Sequence, residues 1–229
     1  MHENHRDRVK KRFLEEGLDN FEPHNVLELL LFYAIPQKDT NELAHLLIDR
    51  FGSLDKVFDA PIEELKKVPG IKDHSATLIK MIPALARRYA VEQNNKQELV
   101  FNNIDTMGQY FVSRYIGVNV ETVLLLLLDN KFNAIDCVKI HEGSVNSCEI
   151  TVRKLTEHAF RSQASMAVLA HNHPSGLAIP SSADLYTTQQ LRTALNFLGV
   201  KLLAHIVVAG ENYTDIMNPH VPVSDERDL

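Results

Sequence analysis

Between residues 6 and 90, hydrophobic residues recur every three or four positions, which is the spacing of one face of an α-helix. The clearest segments of this kind are Asn25–Tyr33, Thr40–Phe51 and Ser75–Tyr89. Residues that break helices separate them, notably Gly52-Ser53 and Pro69-Gly70. The pattern therefore predicts that the first part of the chain is an all-α helical domain.

After a polar stretch at residues 92–98, the pattern changes to short strands alternating with helices. The run Thr122–Leu128 is almost continuously apolar, as in a strand that is buried on both faces. Further strands are expected at 134–140, 166–170 and 202–208, and helices at 151–163 and 182–197. This order is typical of a mixed α/β layer. Placing the boundary in the polar stretch gives a two-domain chain, with a helical domain at 1–97 and an α/β domain at 98–229.

Composition places the chain among globular proteins, since 45% of its residues are hydrophobic. Its longest apolar run, 123–128, is far shorter than the roughly 20 residues that cross a bilayer. The first eight residues carry charges of both signs and do not resemble a secretory signal, so we expect a cytoplasmic protein without membrane contact. Cys137 and Cys148 lack the spacing of a metal finger, which favours free thiols.

The charge balance argues against a large nucleic-acid surface. The formal net charge is −6, and acidic residues outnumber basic ones on both sides of residue 97. A duplex-binding surface usually needs clustered Lys and Arg to neutralise phosphates. The one dense basic run, at residues 6–12, is interpreted as the solvated face of a first helix.

Two histidines stand where the predicted strand 166–170 ends. In an extended chain, residues two apart point to the same side, and their Cα atoms lie about 6 to 7 Å apart. His171 and His173 can therefore converge on one ion. Pro174 prevents further strand pairing, and the Ser175-Gly176 pair lets the chain turn back.

A carboxylate follows at the start of the next predicted helix. Ser181 or Ser182 is placed to cap this helix, and Asp184 lies in its first turn, where the helix dipole favours negative charge. By itself, Ser181-x-x-Asp184 also fits a simple capping box. Together with His171 and His173 it indicates a metal site, and three protein ligands leave one position of a tetrahedral zinc open for water.

These residues resemble the RadC branch of the JAB/MPN metalloprotease superfamily. The JAMM motif is present as His171-x-His173, seven residues, then Ser181-x-x-Asp184. The resemblance covers about 102–217, and the helical half resembles the domain that precedes it in RadC proteins. It implies a cytidine-deaminase-like α/β fold with one zinc held by the two histidines and Asp184.

The resemblance also implies an activity, the hydrolysis of a peptide or isopeptide amide bond in a protein or peptide substrate. Ser181 would help to stabilise the oxyanion that forms. A glutamate would act as general base and then as acid toward the leaving amine. Glu121 is preferred for this role because it opens the apolar run 122–128, with Glu142 and Glu149 as alternatives.

The chain departs from the family pattern at three places. His205 matches a histidine of the family, but Ala204 replaces the aspartate that usually precedes it. Residues 141–146 resemble a Gly-Thr-Leu-Asn stretch with Ser144 and Val145 substituted. Arg153 is kept where family members read Pro-Arg-Glu, but its two neighbours differ.

Residues 65–79 resemble a helix-hairpin-helix, a motif in which the backbone amides of a Pro-Gly-Ile-Gly turn bind a phosphate. Lys72 replaces the second glycine, and Asp73 would repel a phosphate. DNA binding through this half is thus weakly supported, beside a role in helix packing or protein interaction.

Two other functions remain as alternatives. One is a DNA-associated, noncatalytic protein in which zinc stiffens the second domain, and the other is a metal-dependent nuclease. The DNA-repair label comes with the RadC name and not with any of these residues. The ligand set also accepts iron or manganese.

Overall fold

The computed structural model describes residues 2–96, 99–143, 148–174 and 176–218. The chain divides into two compact units, Met1–Ala86 and Arg87–Leu229. This division falls inside a helix that runs from Asp73 to Lys96, so residues 92–96 continue a helix and do not form an extended linker. The domain boundary at residue 97 stays a prediction.

The first unit is helical, as predicted. Its helices are α1 (His2–Glu16), α2 (Pro23–Ala34), α3 (Asn41–Phe51), α4 (Leu54–Asp59), α5 (Ile62–Leu65) and α6 (Asp73–Lys96), of which α6 extends into the second unit. Apolar residues three and four positions apart supply the core, including Leu27, Leu31, Leu47, Leu65 and Ile79, all fully buried. The short helices α4 and α5 were not anticipated, because four to six residues are too few to show a helical period.

The second unit is a mixed α/β layer, which confirms the predicted fold class. Its elements are α7 (Ile104–Tyr115), β1 (Thr122–Leu128), β2 (Ala134–Glu142), α8 (Cys148–Arg161), β3 (Met166–Asn172), α9 (Ser182–Phe197), β4 (Lys201–Ala209) and β5 (Asn212–Asp215). The strands form one sheet in the order β2-β1-β3-β4-β5. All neighbouring pairs are antiparallel except β3 and β4. Helix α7 and strand β5 were not anticipated.

Helices cover both faces of this sheet. On one face Leu126 and Leu128 pack in a core with residues of α7, and on the other Leu125 and Leu127 pack in a core with residues of α8 and α9. Strand β1 is therefore buried on both faces, as its continuous apolar run predicts. The helix α9, which carries the Ser181-Asp184 pair at its start, lies on the second face.

Two expectations drawn from composition can be compared with the described residues, namely the absence of a membrane-spanning segment and the free cysteine thiols. Within them, each helix is too short or too polar to span a bilayer. Cys137 is a free, half-buried thiol on β2, and its burial raises the pKa of the thiol. The side chain of Cys148 lies outside the described residues.

We predict that Gly108→Ala destabilises the second unit. Gly108 lies inside α7, and a Cβ there would stand 2.3 Å from Cε2 of Tyr213. The Tyr213 hydroxyl donates a hydrogen bond to Asp105 Oδ1 at 3.0 Å, so the ring is held in place. We expect the free energy of unfolding in urea to fall by about 1–3 kcal/mol, although alanine is the better helix former.

The same substitution in a Tyr213→Ala background is the control. Without the ring, alanine at position 108 should be neutral or stabilising. A gain in stability from Gly108→Ala in the natural background would show that the helix and the ring are not in close contact.

Candidate metal centre

The three residues expected to hold a metal lie together at the end of β3. The Nε2 atoms of His171 and His173 are 3.0 Å apart. Asp184 faces both, with Oδ1 3.4 Å from His171 Nε2 and Oδ2 4.0 Å from His173 Nε2. One ligand atom from each residue lies within 4.8 Å of the other two. The structure thus brings two imidazoles and one carboxylate to one point.

Strand pairing puts the histidines there. Strand β3 is buried at all seven positions, and His171 is its sixth residue. One residue beyond the strand, the His173 amide still donates to the Val208 carbonyl at 2.8 Å, which keeps the backbone extended through the second histidine. The chain then turns, with the Gly176 amide 3.3 Å from the His173 carbonyl. Ser175 lies outside the described residues.

Asp184 caps helix α9 and faces the histidines at the same time. Its Oδ2 accepts hydrogen bonds from the Ser181 amide (2.7 Å) and hydroxyl (2.6 Å). The Asp184 amide donates in return to Ser181 Oγ at 3.2 Å, which completes a capping box. Burial opposes the negative charge, but interactions with His171 and Ser181 hold the pKa of Asp184 well below its usual range. The carboxylate is therefore charged at neutral pH.

The hydroxyl of Ser181 is already engaged in this arrangement. Its hydrogen points to Asp184, so Ser181 would have to release that bond before it could donate to a substrate. The Ser181 amide would still hold the carboxylate if it did so. The oxyanion role of Ser181 stays a prediction.

The ring of His173 is oriented by a backbone carbonyl. His173 Nδ1 lies 2.9 Å from the oxygen of Leu177. Because a carbonyl can only accept, Nδ1 carries the proton and Nε2 presents a lone pair to the cluster. A carbonyl in this position is a common outer partner of a metal-binding histidine.

The ring of His171 has a different partner, His205 on β4. His171 Nδ1 lies 2.9 Å from His205 Nε2, and His205 Nδ1 lies 2.6 Å from Thr188 Oγ1 on α9. His205 is 2% exposed, and this burial lowers its pKa to about 3. The backbone amide of His205 donates a hydrogen bond to Asp215 Oδ1 at 3.1 Å. The His205 ring is thus bonded to a hydroxyl of α9, whereas Ala204 packs in the core on the α7 side of the sheet.

The donor set of the cluster fits a divalent metal ion. Two imidazole nitrogens and a charged carboxylate oxygen are ligands that zinc accepts. The oxygen of Leu177 accounts for the proton of His173, so that its Nε2 is free to act as a ligand. His171, His173 and Asp184 therefore form a site that can hold a metal.

Strand register places Glu121 on the same face as the two histidines. Val123 on β1 pairs with His171 on β3 in an antiparallel register. Continued beyond the ends of both strands, the same register would bring Glu121, the residue before β1, toward His173, the residue after β3. Directly paired residues, and residues two apart, share one face of a sheet.

The alternative glutamates are placed differently. Glu142 pairs with Thr122, whose side chain points away from the face that carries Val123 and His171. Its carboxylate forms an exposed ion pair with Lys139, which lowers the pKa of Glu142. The side chain of Glu149 and residues 144–147 lie outside the described residues. The assignment of the catalytic glutamate stays a prediction, and the register favours Glu121.

Asn172, between the two histidines, has a role that the sequence did not suggest. Its side chain points to the other face and is 3% exposed. Oδ1 accepts a hydrogen bond from the Thr122 amide at 2.7 Å, and Nδ2 lies 3.2 Å from the carbonyls of Val118 and Val120. These bonds fasten the segment that carries Glu121 to the strand that carries the histidines. The sequence signal for this role was a polar residue at a position that strand alternation assigns to a buried face.

The helix-hairpin-helix-like segment of the first unit has its own internal partners. The Lys72 amide donates to Ser75 Oγ at 2.9 Å. Asp73, the first residue of α6, pairs with Lys66 at 2.7 Å. A carboxylate and a hydroxyl therefore stand where a phosphate would approach the helix start. DNA binding stays an untested prediction.

The α/β layer and its His-His-Asp cluster are those of a JAB-type domain. A model of the RadC-like JAB domain matches residues 101–219, and the chain belongs to this RadC-like family. The predicted resemblance to RadC proteins is confirmed.

Relatives of similar length support this membership. A UPF0758 protein of Fusobacterium nucleatum is 30% identical, over 91% of this chain and 93% of its own. Two others, from Acinetobacter baylyi and Ruegeria pomeroyi, are each 32% identical over 89% of this chain, and over 75% and 91% of their own lengths. The names of these relatives state no activity.

We predict that Asn172→Ala lowers the stability of the second unit. The change leaves the buried Thr122 amide without its acceptor and removes the Asn172 donor from the carbonyls of Val118 and Val120, of which Val120 still accepts from the Thr122 hydroxyl. An unsatisfied buried amide costs about 1–3 kcal/mol, and we expect at least this loss in the free energy of unfolding in urea.

The matched control is Asn102→Ala, since Asn102 is exposed and its side-chain oxygen accepts a hydrogen bond from its sequence neighbour Asn103. Its effect should stay within about 0.5 kcal/mol. Equal effects of the two substitutions would contradict a fastening role for Asn172.

Proposed function

We propose that the chain is a zinc-dependent hydrolase that cleaves an amide bond in a protein or peptide substrate. The observation that supports this most directly is the convergence of His171, His173 and Asp184 within a RadC-like JAB domain. Each side chain turns an atom with a lone pair or negative charge toward the same point. Three protein ligands leave room for water or substrate, as in catalytic zinc sites.

The metal and the protein residues would have separate roles in the proposed reaction. Bound at these three residues, zinc would supply a water of lowered pKa and would polarise the substrate carbonyl. His173 and His171 present their Nε2 atoms, and the low pKa of Asp184 keeps this ligand charged. The protein therefore offers one negative charge and two neutral nitrogens in a fixed arrangement.

Glu121 is proposed as the general base and acid. Its carboxylate takes a proton from the attacking water as the carbon–oxygen bond forms. It then passes this proton to the leaving nitrogen as the carbon–nitrogen bond breaks, so the amine leaves neutral and the other product is a carboxylic acid. The antiparallel pairing of Val123 with His171, which brings the start of β1 beside the end of β3, supports this role.

Ser181 is proposed to donate a hydrogen bond to the carbonyl oxygen as it gains negative charge. Two groups of Ser181 bond to the same oxygen of Asp184, the amide and the hydroxyl. The hydroxyl can rotate toward the substrate while the amide keeps the carboxylate in place. A single donor of this kind contributes about 3 kcal/mol to transition-state stabilisation.

Metal content tests the site itself. We predict about one zinc per chain by elemental mass spectrometry of protein purified without a histidine tag, and its loss in His173→Ala, because two ligands bind zinc much more weakly than three. His158→Ala is the control, since His158 is an exposed residue of α8. Metal-free wild-type protein that does not take up added zinc would overturn the proposed function.

Turnover tests the role of Glu121. Using a substrate selected by wild-type protein from a quenched fluorescent peptide library, we predict that Glu121→Gln lowers kcat by at least about 100-fold, as general acid–base catalysis is worth about 10²–10⁴-fold. Its zinc content should not change, because Glu121 is not a ligand. Glu142→Gln, which removes only an exposed ion pair, should keep wild-type kcat. If Glu121→Gln turned over normally, the assignment would be wrong.

A further inference from the structure

We propose that Thr188 and His205 are positioning residues that determine which ring nitrogen of His171 carries the proton. Neither residue belongs to the metal-ligand set, and both lie behind His171. The inference rests on the metal centre of the proposed function, but it concerns a hydrogen-bond chain that is present without any ion. Its three links have one consistent direction.

The direction starts at the backbone of α9. Thr188 Oγ1 lies 2.6 Å from the carbonyl oxygen of Asp184, one helical turn earlier. A carbonyl oxygen can only accept a hydrogen bond, and a hydroxyl has one hydrogen to donate. The hydroxyl hydrogen of Thr188 is therefore committed to Asp184, and the oxygen is left as an acceptor.

The second link is the contact of 2.6 Å between Thr188 Oγ1 and His205 Nδ1. Because Thr188 has no second hydrogen, His205 must donate through Nδ1. The other nitrogen of the neutral His205 ring, Nε2, then carries a lone pair.

The third link joins the two imidazoles. His205 Nε2 lies 2.9 Å from His171 Nδ1, and since His205 accepts, His171 donates. His171 Nδ1 thus carries a proton, and Nε2 is the ring nitrogen that faces His173 and Asp184 and can act as the ligand. The hydroxyl of a threonine fixes the tautomer of a ligand through one intervening ring.

All three residues of this hydrogen-bond chain are buried. Thr188, His205 and His171 are 6%, 2% and 3% exposed, so water has little access to replace a missing partner. The backbone of His205 is held separately, by its amide bond to Asp215 and by the Ile216 amide, which donates to its carbonyl at 2.8 Å. The ring position therefore does not depend on Thr188, whereas the direction of its hydrogen bonds does.

The tautomer can be measured on metal-free protein. Long-range ¹H–¹⁵N correlation spectra of the imidazoles should show the His171 proton on Nδ1 in the wild type. In Thr188→Val, which keeps the shape but lacks the hydroxyl, we expect a mixture with protonation on Nε2. Thr188→Ser should restore the wild-type pattern.

Thr193→Val is the matched control. Thr193 lies on the same helix and makes the same bond to the carbonyl four residues earlier, at 3.0 Å to Gln189, but it is exposed. Its substitution should leave the His171 spectrum unchanged. A general effect of removing a threonine from α9 would appear in both variants.

Zinc affinity is the second measurement, by competition with a chromophoric chelator. Outer partners of metal-bound histidines are typically worth 10–100-fold in affinity, and we expect a loss of this size in Thr188→Val and in His205→Phe. Thr188→Ser and Thr193→Val should bind zinc as the wild type does.

The outcomes separate this inference from the proposed function. A His171 Nδ1 without a proton in the wild type, or a Thr188→Val variant with unchanged tautomer and zinc affinity, would overturn the Thr188–His205–His171 relay. Wild-type protein with the Nδ1 proton but no zinc binding would support the relay and remove the hydrolase. Zinc binding that depends on Thr188, without any amide cleavage, would do the same.

Discussion

The site depends on the burial of β3 on both faces and on its pairing with β1 and β4. A strand held in this way has no freedom to rotate, so its side chains alternate strictly between the two faces. At its end, this alternation directs His171 and His173 to the α9 side and Asn172 to the α7 side. If the register of β3 shifted by one residue, the two histidines would face α7 and Asn172 would face α9.

The start of α9 shows that folding and chemistry can share one carboxylate. From the sequence, a capping box and a metal ligand were competing interpretations of Ser181-x-x-Asp184. The structure contains the capping box, and the same Asp184 also faces the histidines. Two oxygens make this compatible, since Oδ2 receives the Ser181 donors while Oδ1 faces His171. The cap holds the carboxylate in the geometry that a ligand needs.

Local pattern was enough to predict the parts of the site, and strand register was needed to assemble it. The ends of β3 and α9, and hence His171, His173 and Asp184, follow from alternation, turn residues and a helix N-terminus. The bonds of Asn172 span about fifty residues of sequence, and the Thr188–His205 contact links a helix to a strand. A short stretch of sequence carries no information about contacts between residues so far apart in the chain. The resemblance singled out His205, but its partner Thr188 lies 17 residues away on another element and could not be read from the residues beside His205.

The partner of the His205 ring is a threonine hydroxyl and not a carboxylate, which has an electrostatic consequence. A carboxylate bonded to His205 would favour the protonated ring and would add a second negative charge behind the ligands. A threonine hydroxyl transmits the same hydrogen-bond direction without any charge. Burial lowers the pKa of His205 to about 3, so its ring is neutral at pH 7. Among the three ligands, Asp184 then supplies the one negative charge, so a bound divalent ion would keep a net positive charge with which to polarise a carbonyl.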